Sequence, residues 1–219
     1  MTIDKKNNLQ VDDKATIPFR GNYRLSQTPF RASTYIVEYF TKAECESIVK
    51  YGKNISSNNA VTIGDIAADR EVSKVRSGEI AWFNYADPNL FWLFEKLSYV
   101  VRQVNQDMFK FDLDYIQALQ FTSYSKEGDQ YDDHIDILDG HPAFTENRKL
   151  SFSVQLSDSQ SYTGGDLMVG PDAIRQKASL SRSQGDIIFF PSFMNHKVTP
   201  IETGFRYSLV GWVCGPNFR

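Results

Sequence analysis

From about residue 112 onward, apolar and polar positions alternate in short runs bounded by Gly, Pro, Asn and Asp, a pattern of strands rather than helices. It predicts strands over residues 115–124, 150–156, 166–169, 177–180, 186–190, 196–199 and 206–213. Upstream the period changes. Thr41 to Glu44 has the Ser/Thr-x-x-Glu form of a capping box, residues 43–51 are helix-compatible, and Gly52 stands where a C-terminal cap is expected. A longer helix is marked by Asp87 as a cap and Pro88 in its first turn. Leu90, Phe91, Phe94, Leu97, Val101 and Val104 then recur at helical spacing toward Met108. Two helices followed by seven short strands predict an α+β chain whose C-terminal part is an antiparallel sandwich or barrel, braced on one side by the helices.

Two segments lack this periodicity. Residues 1–32 are polar, contain Pro18, Gly21 and Pro29, and are expected to form an irregular arm ahead of a single domain over 33–219. Residues 55–74, rich in Asn, Ser, Ala and Asp, are too long for a passive connection and are read either as a mobile loop over a site or as plain disorder. At 25.0 kDa and 41% hydrophobic, the chain can bury one sizeable core. A net charge of -3 gives no broad basic field, which argues against a nucleic acid held mainly by phosphate contacts. The N-terminus lacks an apolar signal region and no stretch approaches the roughly 20 apolar residues of a membrane span, so the expected location is the cytoplasm. Cys45 and Cys214 are too few for a disulfide scaffold and form no CxxC pair; both are read as small apolar residues.

Candidate chemistry rests on two of the three histidines. His134 and Asp136 lie two apart, so in an extended strand their side chains project to one face and can bind one ion together. A third ligand must come from elsewhere in the fold, and His196, just beyond the apolar run 186–190 and Pro191, can supply it. Two histidines and one carboxylate on one face leave the opposite coordination positions open, as in a non-haem Fe(II) centre. If residues 196–206 form a hairpin turning near 200–204, Arg206 stands opposite His196, with Cβ atoms about 5 Å apart. That puts a bidentate cationic donor one short dicarboxylate away from the metal, and Ser208 on the same face can add a hydroxyl.

These residues resemble the Fe(II)- and 2-oxoglutarate-dependent dioxygenases, and among them the prolyl hydroxylase superfamily. The likeness runs from about Val75 to Gly215. It includes the arginine-led segment beginning Val75-Arg76, then Tyr124, Gly128 and Tyr131 ahead of His134-x-Asp136. Arg148, Gly164-Gly165-Asp166, His196, Arg206 and Trp212 complete it. The resemblance implies a double-stranded β-helix, jelly-roll or cupin-like, with Fe(II) on His134, Asp136 and His196. It implies 2-oxoglutarate on Arg206 and Tyr124, Tyr131 lining the same pocket, and O2 as co-reactant; such an enzyme is compatible with ascorbate as reductant. The reaction implied is hydroxylation of an unactivated C–H bond with release of succinate and CO2. Arg76, Arg148 and Trp212 fall on the substrate side, and a prolyl residue in a peptide or protein is the substrate implied. Where some relatives have a tyrosine that helps bind the cosubstrate, this chain has Gln155, whose amide can still hydrogen-bond.

Other features are read more plainly. His141 is a loop residue, Asp132 and Asp133 are solvated, Gly164-Gly165 is a turn, and for Trp82, Trp92 and Trp212 packing in the core is the reading set against stacking on a substrate, the role the resemblance implies for Trp212. The competing functions are hydroxylation of a free amino acid or small metabolite and, in a different class, a non-catalytic cupin-like binding module. Nucleic-acid demethylation ranks lower because residues 208–212 carry no second arginine, and Asp136 argues against a halogenase. The oligomeric state is left open.

Overall fold

The computed structural model describes residues 35–56, 77–137, 147–170 and 182–216. The predicted arm, most of the 55–74 loop, Arg76, His141 and the predicted strand 177–180 lie outside the described residues. Strand β1 (Tyr35–Glu38) precedes helix α1 (Lys42–Ser56) and strand β2 (Glu79–Phe83). A 3-10 turn over Pro88–Leu90 then leads into helix α2 (Phe91–Val104), which ends in a π turn over Asn105–Phe109. The β part follows: β3 (Tyr115–Ile116), β4 (Leu119–Tyr124), β5 (Tyr131–His134), β6 (Asn147–Gln155), β7 (Tyr162–Gly164) and β8 (Leu167–Val169). It closes with β9 (Asp186–Pro191), β10 (His196–Val198), β11 (Ile201–Gly204) and β12 (Arg206–Gly215).

Both predicted helix starts are present. In the capping box the Thr41 N–H donates to Glu44 Oε2 at 2.8 Å and the Glu44 N–H to Thr41 Oγ1 at 3.3 Å. Asp87 Oδ1 accepts from the Asn89 N–H at 2.9 Å, with Pro88 in the first turn. Gly52 corrects the expectation placed on it, because α1 runs through it to Ser56. A Cβ there would stand 2.5 Å from the Phe121 ring, so the glycine serves the approach of helix to sheet and not a cap. The buried stripe of α2 also differs from the predicted one. Leu93, Leu97, Val100, Val101 and Val104 face inward, whereas Phe91 is exposed and Trp92 is 39% exposed, so Trp92 is not a core residue.

The strands form two antiparallel layers. The large sheet runs β1-β9-β6-β12-β4-β2, with β3 pairing β12 beyond the end of β4; the break at residues 117 and 118 divides the single strand expected there. The small layer consists of β5-β10-β8 and the pair β11-β7. Along the chain, successive strands switch layers: β4 large, β5 small, β6 large, β7 and β8 small, β9 large, β10 and β11 small, β12 large. That winding is the expected double-stranded β-helix. One core lies between the helices and the large sheet and includes Leu93, Leu97, Phe121, Phe152 and Phe189. A second, with Tyr124, Leu167, Ile188 and Phe190, lies on the side of the small layer. Strand β6 serves both faces. Leu150, Phe152 and Val154 join the first core, and the intervening Ser151, Ser153 and Gln155 turn to the other side.

The hairpin expected between His196 and Arg206 does not form. Strand β10 pairs β5 and β8, β11 pairs β7, and β12 pairs β4 and β6. Gly204, at φ 78°, lets the chain leave the small layer and enter the large one while passing against Ser161, where a Cβ would collide with the carbonyl. His196 and Arg206 therefore approach from opposite layers. Among the described residues no helix is long and apolar enough to cross a membrane.

Candidate active site

His134 and His196 are direct cross-strand partners in the antiparallel pairing of β5 with β10, which brings their ring centroids to 4.1 Å. Asp136 lies two residues past His134, beyond the end of β5, and its N–H donates to the Ser192 carbonyl at 2.8 Å. Its carboxylate oxygens lie 3.8 Å from His134 Nε2 and 3.3 Å from His196 Nε2, and the three candidate ligand atoms fall within 4.8 Å of one another. The histidine tautomers follow from their partners. His134 Nδ1 is 2.7 Å from the Asp132 carbonyl and His196 Nδ1 is 2.9 Å from the Met194 carbonyl. A carbonyl can only accept, so each Nδ1 carries the proton and each Nε2 offers its lone pair toward Asp136. Tyr131 stacks on His134 with centroids 3.7 Å apart, and Phe190 stands 4.7 Å from His196. These rings hold the imidazoles in place and shed water from one side.

Arg206 enters from the large sheet. It pairs in register with Tyr124, is 1% exposed, and its guanidinium carbon lies 5.3 Å from the Tyr124 ring centroid. One Nη donates to Gln155 Oε1 at 3.1 Å, the other lies 3.5 Å from Ser208 Oγ, and Nε has no hydrogen-bond partner. Among the described residues no carboxylate pairs with it. Burying a guanidinium without an anion costs several kcal/mol, so this geometry fits an acidic ligand end. Gly165, at φ 62°, packs against the same side chain, since a Cβ there would stand 3.0 Å from Arg206 Cδ. The Gly164-Gly165 pair is therefore more than a turn.

One cleft between the layers is lined by Tyr124, Tyr131, the three candidate metal ligands, Arg206, Ser208 and Trp212. Gln155 reaches it through its bond to Arg206. Arg148 stands at the edge, its guanidinium carbon 3.8 Å over the Trp212 ring and its Nε donating to Gln117 Oε1 at 2.8 Å. Burial holds the Arg148 pKa below its usual value, against the opposing pull of the Asp136 charge. Asp132 contributes its backbone carbonyl to His134, and Asp133 pairs with Lys197 at 3.3 Å. The two cysteines are buried and free, and burial pushes the Cys45 thiol up to about 11, in keeping with an apolar role.

The donor set of two imidazole nitrogens and one carboxylate suits Fe(II), and the separate buried cation suits the far end of a chelating dicarboxylate. Two residues of the site were not foreseen. Ser151 Oγ donates to Asp136 Oδ2 at 2.8 Å, and Ser192 Oγ lies 2.9 Å from Ser151 Oγ. The alternation of Ser151, Ser153 and Gln155 with apolar residues marked a polar face on β6, but nothing local marked Asp136 as its target.

Residues 119–214 match the model of the 2OG-Fe(II) oxygenase superfamily. A PKHD-type hydroxylase of Synechococcus elongatus is 34% identical over 99 residues, covering 45% of this chain and 43% of that protein. Another PKHD-type hydroxylase, of Hyphomonas neptunium, is 35% identical over 104 residues, covering 45% and 46%. The chain thus spans under half the length of these curated relatives. Among solved structures, a Pseudomonas putida prolyl-4-hydroxylase superposes with TM-score 0.65 at 17% identity, over 84% of this chain and 92% of that one. A Trichoplax adhaerens prolyl hydroxylase, in complex with a hypoxia inducible factor oxygen degradation domain peptide fragment, gives 0.65 at 18% identity, over 83% of each.

Proposed function

We propose that the chain is a 2OG-Fe(II) oxygenase, an Fe(II)- and 2-oxoglutarate-dependent dioxygenase that hydroxylates a prolyl residue in a peptide or protein; the family model matched over residues 119–214 and the PKHD-type hydroxylase relatives support this reading. The observation that carries the reading is a metal-competent triad sharing one cleft with a buried arginine that no carboxylate among the described residues neutralises. Fe(II), when bound with O2 and 2-oxoglutarate, supplies an oxidant that places one oxygen atom on a C–H carbon while the keto acid becomes succinate and CO2. His134, Asp136 and His196 hold the ion, and their fixed tautomers keep both imidazoles ready to ligate. Arg206 and Ser208, beside Tyr124, take the distal carboxylate of 2-oxoglutarate, with Gln155 holding the guanidinium in place. Tyr131 and Phe190 exclude water around the two histidines.

On the substrate side stand Arg148 and Trp212, a flat cation on an indole at the edge of the cleft, suited to a ring and an adjoining peptide carbonyl. The peptide bound in the Trichoplax neighbour supports a peptide substrate. The test incubates Fe(II)-loaded protein with 2-oxoglutarate, O2 and proline-containing peptides, reading succinate and a mass gain on proline, with His134→Ala as control. The proposal expects succinate release stimulated by a peptide and coupled to one added oxygen atom. Turnover stimulated only by free amino acids would replace the prolyl reading with a small-metabolite one, and turnover retained in His134→Ala would overturn the metal assignment.

A further inference from the structure

The polar contacts of Asp136 extend past the site into the buried end of the large sheet. Ser151 and Ser192 are both fully buried, and Ser151 has one proton, which its contact with the acceptor-only carboxylate consumes. Ser192 must then donate its own proton to Ser151 Oγ, so the bonds have a single direction: Ser192 to Ser151 to Asp136 Oδ2. The backbone fixes both ends of this chain. The Asp136 N–H donates to the Ser192 carbonyl at 2.8 Å, and the Ser192 N–H donates to the Lys149 carbonyl at 3.0 Å, two residues before Ser151 in the same strand. Asp136 lies off the end of β5, so these bonds hold it from the large sheet where its own strand does not.

We propose that Ser151 and Ser192 form a positioning relay that engages Asp136 Oδ2, the oxygen 3.3 Å from His196 Nε2, and sets the rotation of the carboxylate toward the two histidines. A carboxylate so held keeps one orientation toward the ion that the three ligands share; a freely rotating one does not. The inference rests on the metal reading above and concerns how this chain completes that site. By general experience with groups that orient metal ligands, losing Ser151 weakens metal binding about 10- to 100-fold.

The test measures Mn(II) binding to the full chain from the free-ion electron paramagnetic resonance signal, and the absorption spectrum of the Co(II)-loaded protein. The expected result is Mn(II) affinity lowered about 10- to 100-fold in Ser151→Ala, with an altered Co(II) ligand-field spectrum. Ser192→Ala, which keeps the direct hydroxyl contact but loses its donor, shows a smaller loss. Ser151→Thr, which restores the hydroxyl, recovers both the affinity and the spectrum. Wild-type affinity and spectrum in Ser151→Ala overturn the relay while leaving the metal site standing. Wild-type protein that binds neither Mn(II) nor Co(II) overturns the metal reading and the relay with it.

Discussion

The large and small layers are built from the same alternation of residues, yet they differ in length and cover. Strands β6 and β12 run nine and ten residues and are buried over nearly their whole length, with helices on one face and the small layer on the other. Strands β5 and β10 have four and three residues, and Asp132 and Asp133 in the middle of β5 are exposed. The long sheet supplies the groups that need a dry, fixed setting: Arg206, Gln155 and Ser151. The short layer supplies the two histidines, which in the proposed function an ion and its co-ligands must reach. Asp136 belongs to the short layer by sequence and to the long one by its hydrogen bonds, and so ties the two layers together at the candidate site.

The sharpest way to separate the layers is to disable one side at a time. His134→Ala should abolish Mn(II) binding without changing the circular dichroism spectrum, because the ring sits on a short strand outside the helix-side core. Arg206→Ala should leave Mn(II) binding intact and cost about 2–5 kcal/mol of 2-oxoglutarate affinity, about 30- to 5,000-fold, since it removes one partner of a desolvated charge pair. Calorimetric titration of the two ligands distinguishes these outcomes.

A smaller effect is expected from the helix side of the large sheet. In Gly52→Ala the added methyl meets the Phe121 ring, which is stacked with Phe83 at 6.0 Å and Tyr207 at 5.8 Å and so has little freedom to move. Overpacking of this kind costs about 1–3 kcal/mol and outweighs the gain of about 1 kcal/mol in helix propensity. Denaturant unfolding should show the loss, with Mn(II) affinity unchanged.

The smallest expected effect lies farthest from the site. Thr41→Ala should cost about 1 kcal/mol by breaking the capping box. Desolvation pushes the Glu44 carboxyl up, but hydrogen bonds from Lys96 and Thr41 outweigh it and hold the carboxyl below its ordinary value. A folded pKa below the unfolded one gives stability that is complete above the unfolded value and fades as pH falls through the folded one. The penalty of Glu44→Gln should accordingly be largest near neutrality and vanish in acid, as urea unfolding at a series of pH values would record.

The parts legible in the sequence were those set by local rules. The capping box, the Asp87 and Pro88 helix start, the alternation in β6 and the pair His134 and Asp136 depend on residues within a few positions of one another. What failed was decided across the chain. Gly52 looks like a cap until Phe121, 69 positions later, shows why a side chain is excluded. A His196–Arg206 hairpin fits the local spacing, but β11 pairs with β7 instead; Arg206 reaches the cleft from the opposite layer. Gln155, read through the resemblance as a cosubstrate contact, also accepts a hydrogen bond from Arg206, a partner 51 positions away that nothing local marked. Ser151 and Ser192 lie 41 positions apart and meet only because β6 and β9 pair.

The central claim is that the two layers create one composite site, with a keto acid spanning from metal to arginine. Its most direct test is titration of 2-oxoglutarate into wild-type protein with and without saturating Mn(II). Tight binding is expected only when Mn(II) is present, and it should be lost in Arg206→Ala with Mn(II) still bound. Equal 2-oxoglutarate affinity in the presence and absence of the metal, or binding indifferent to Arg206, would contradict it.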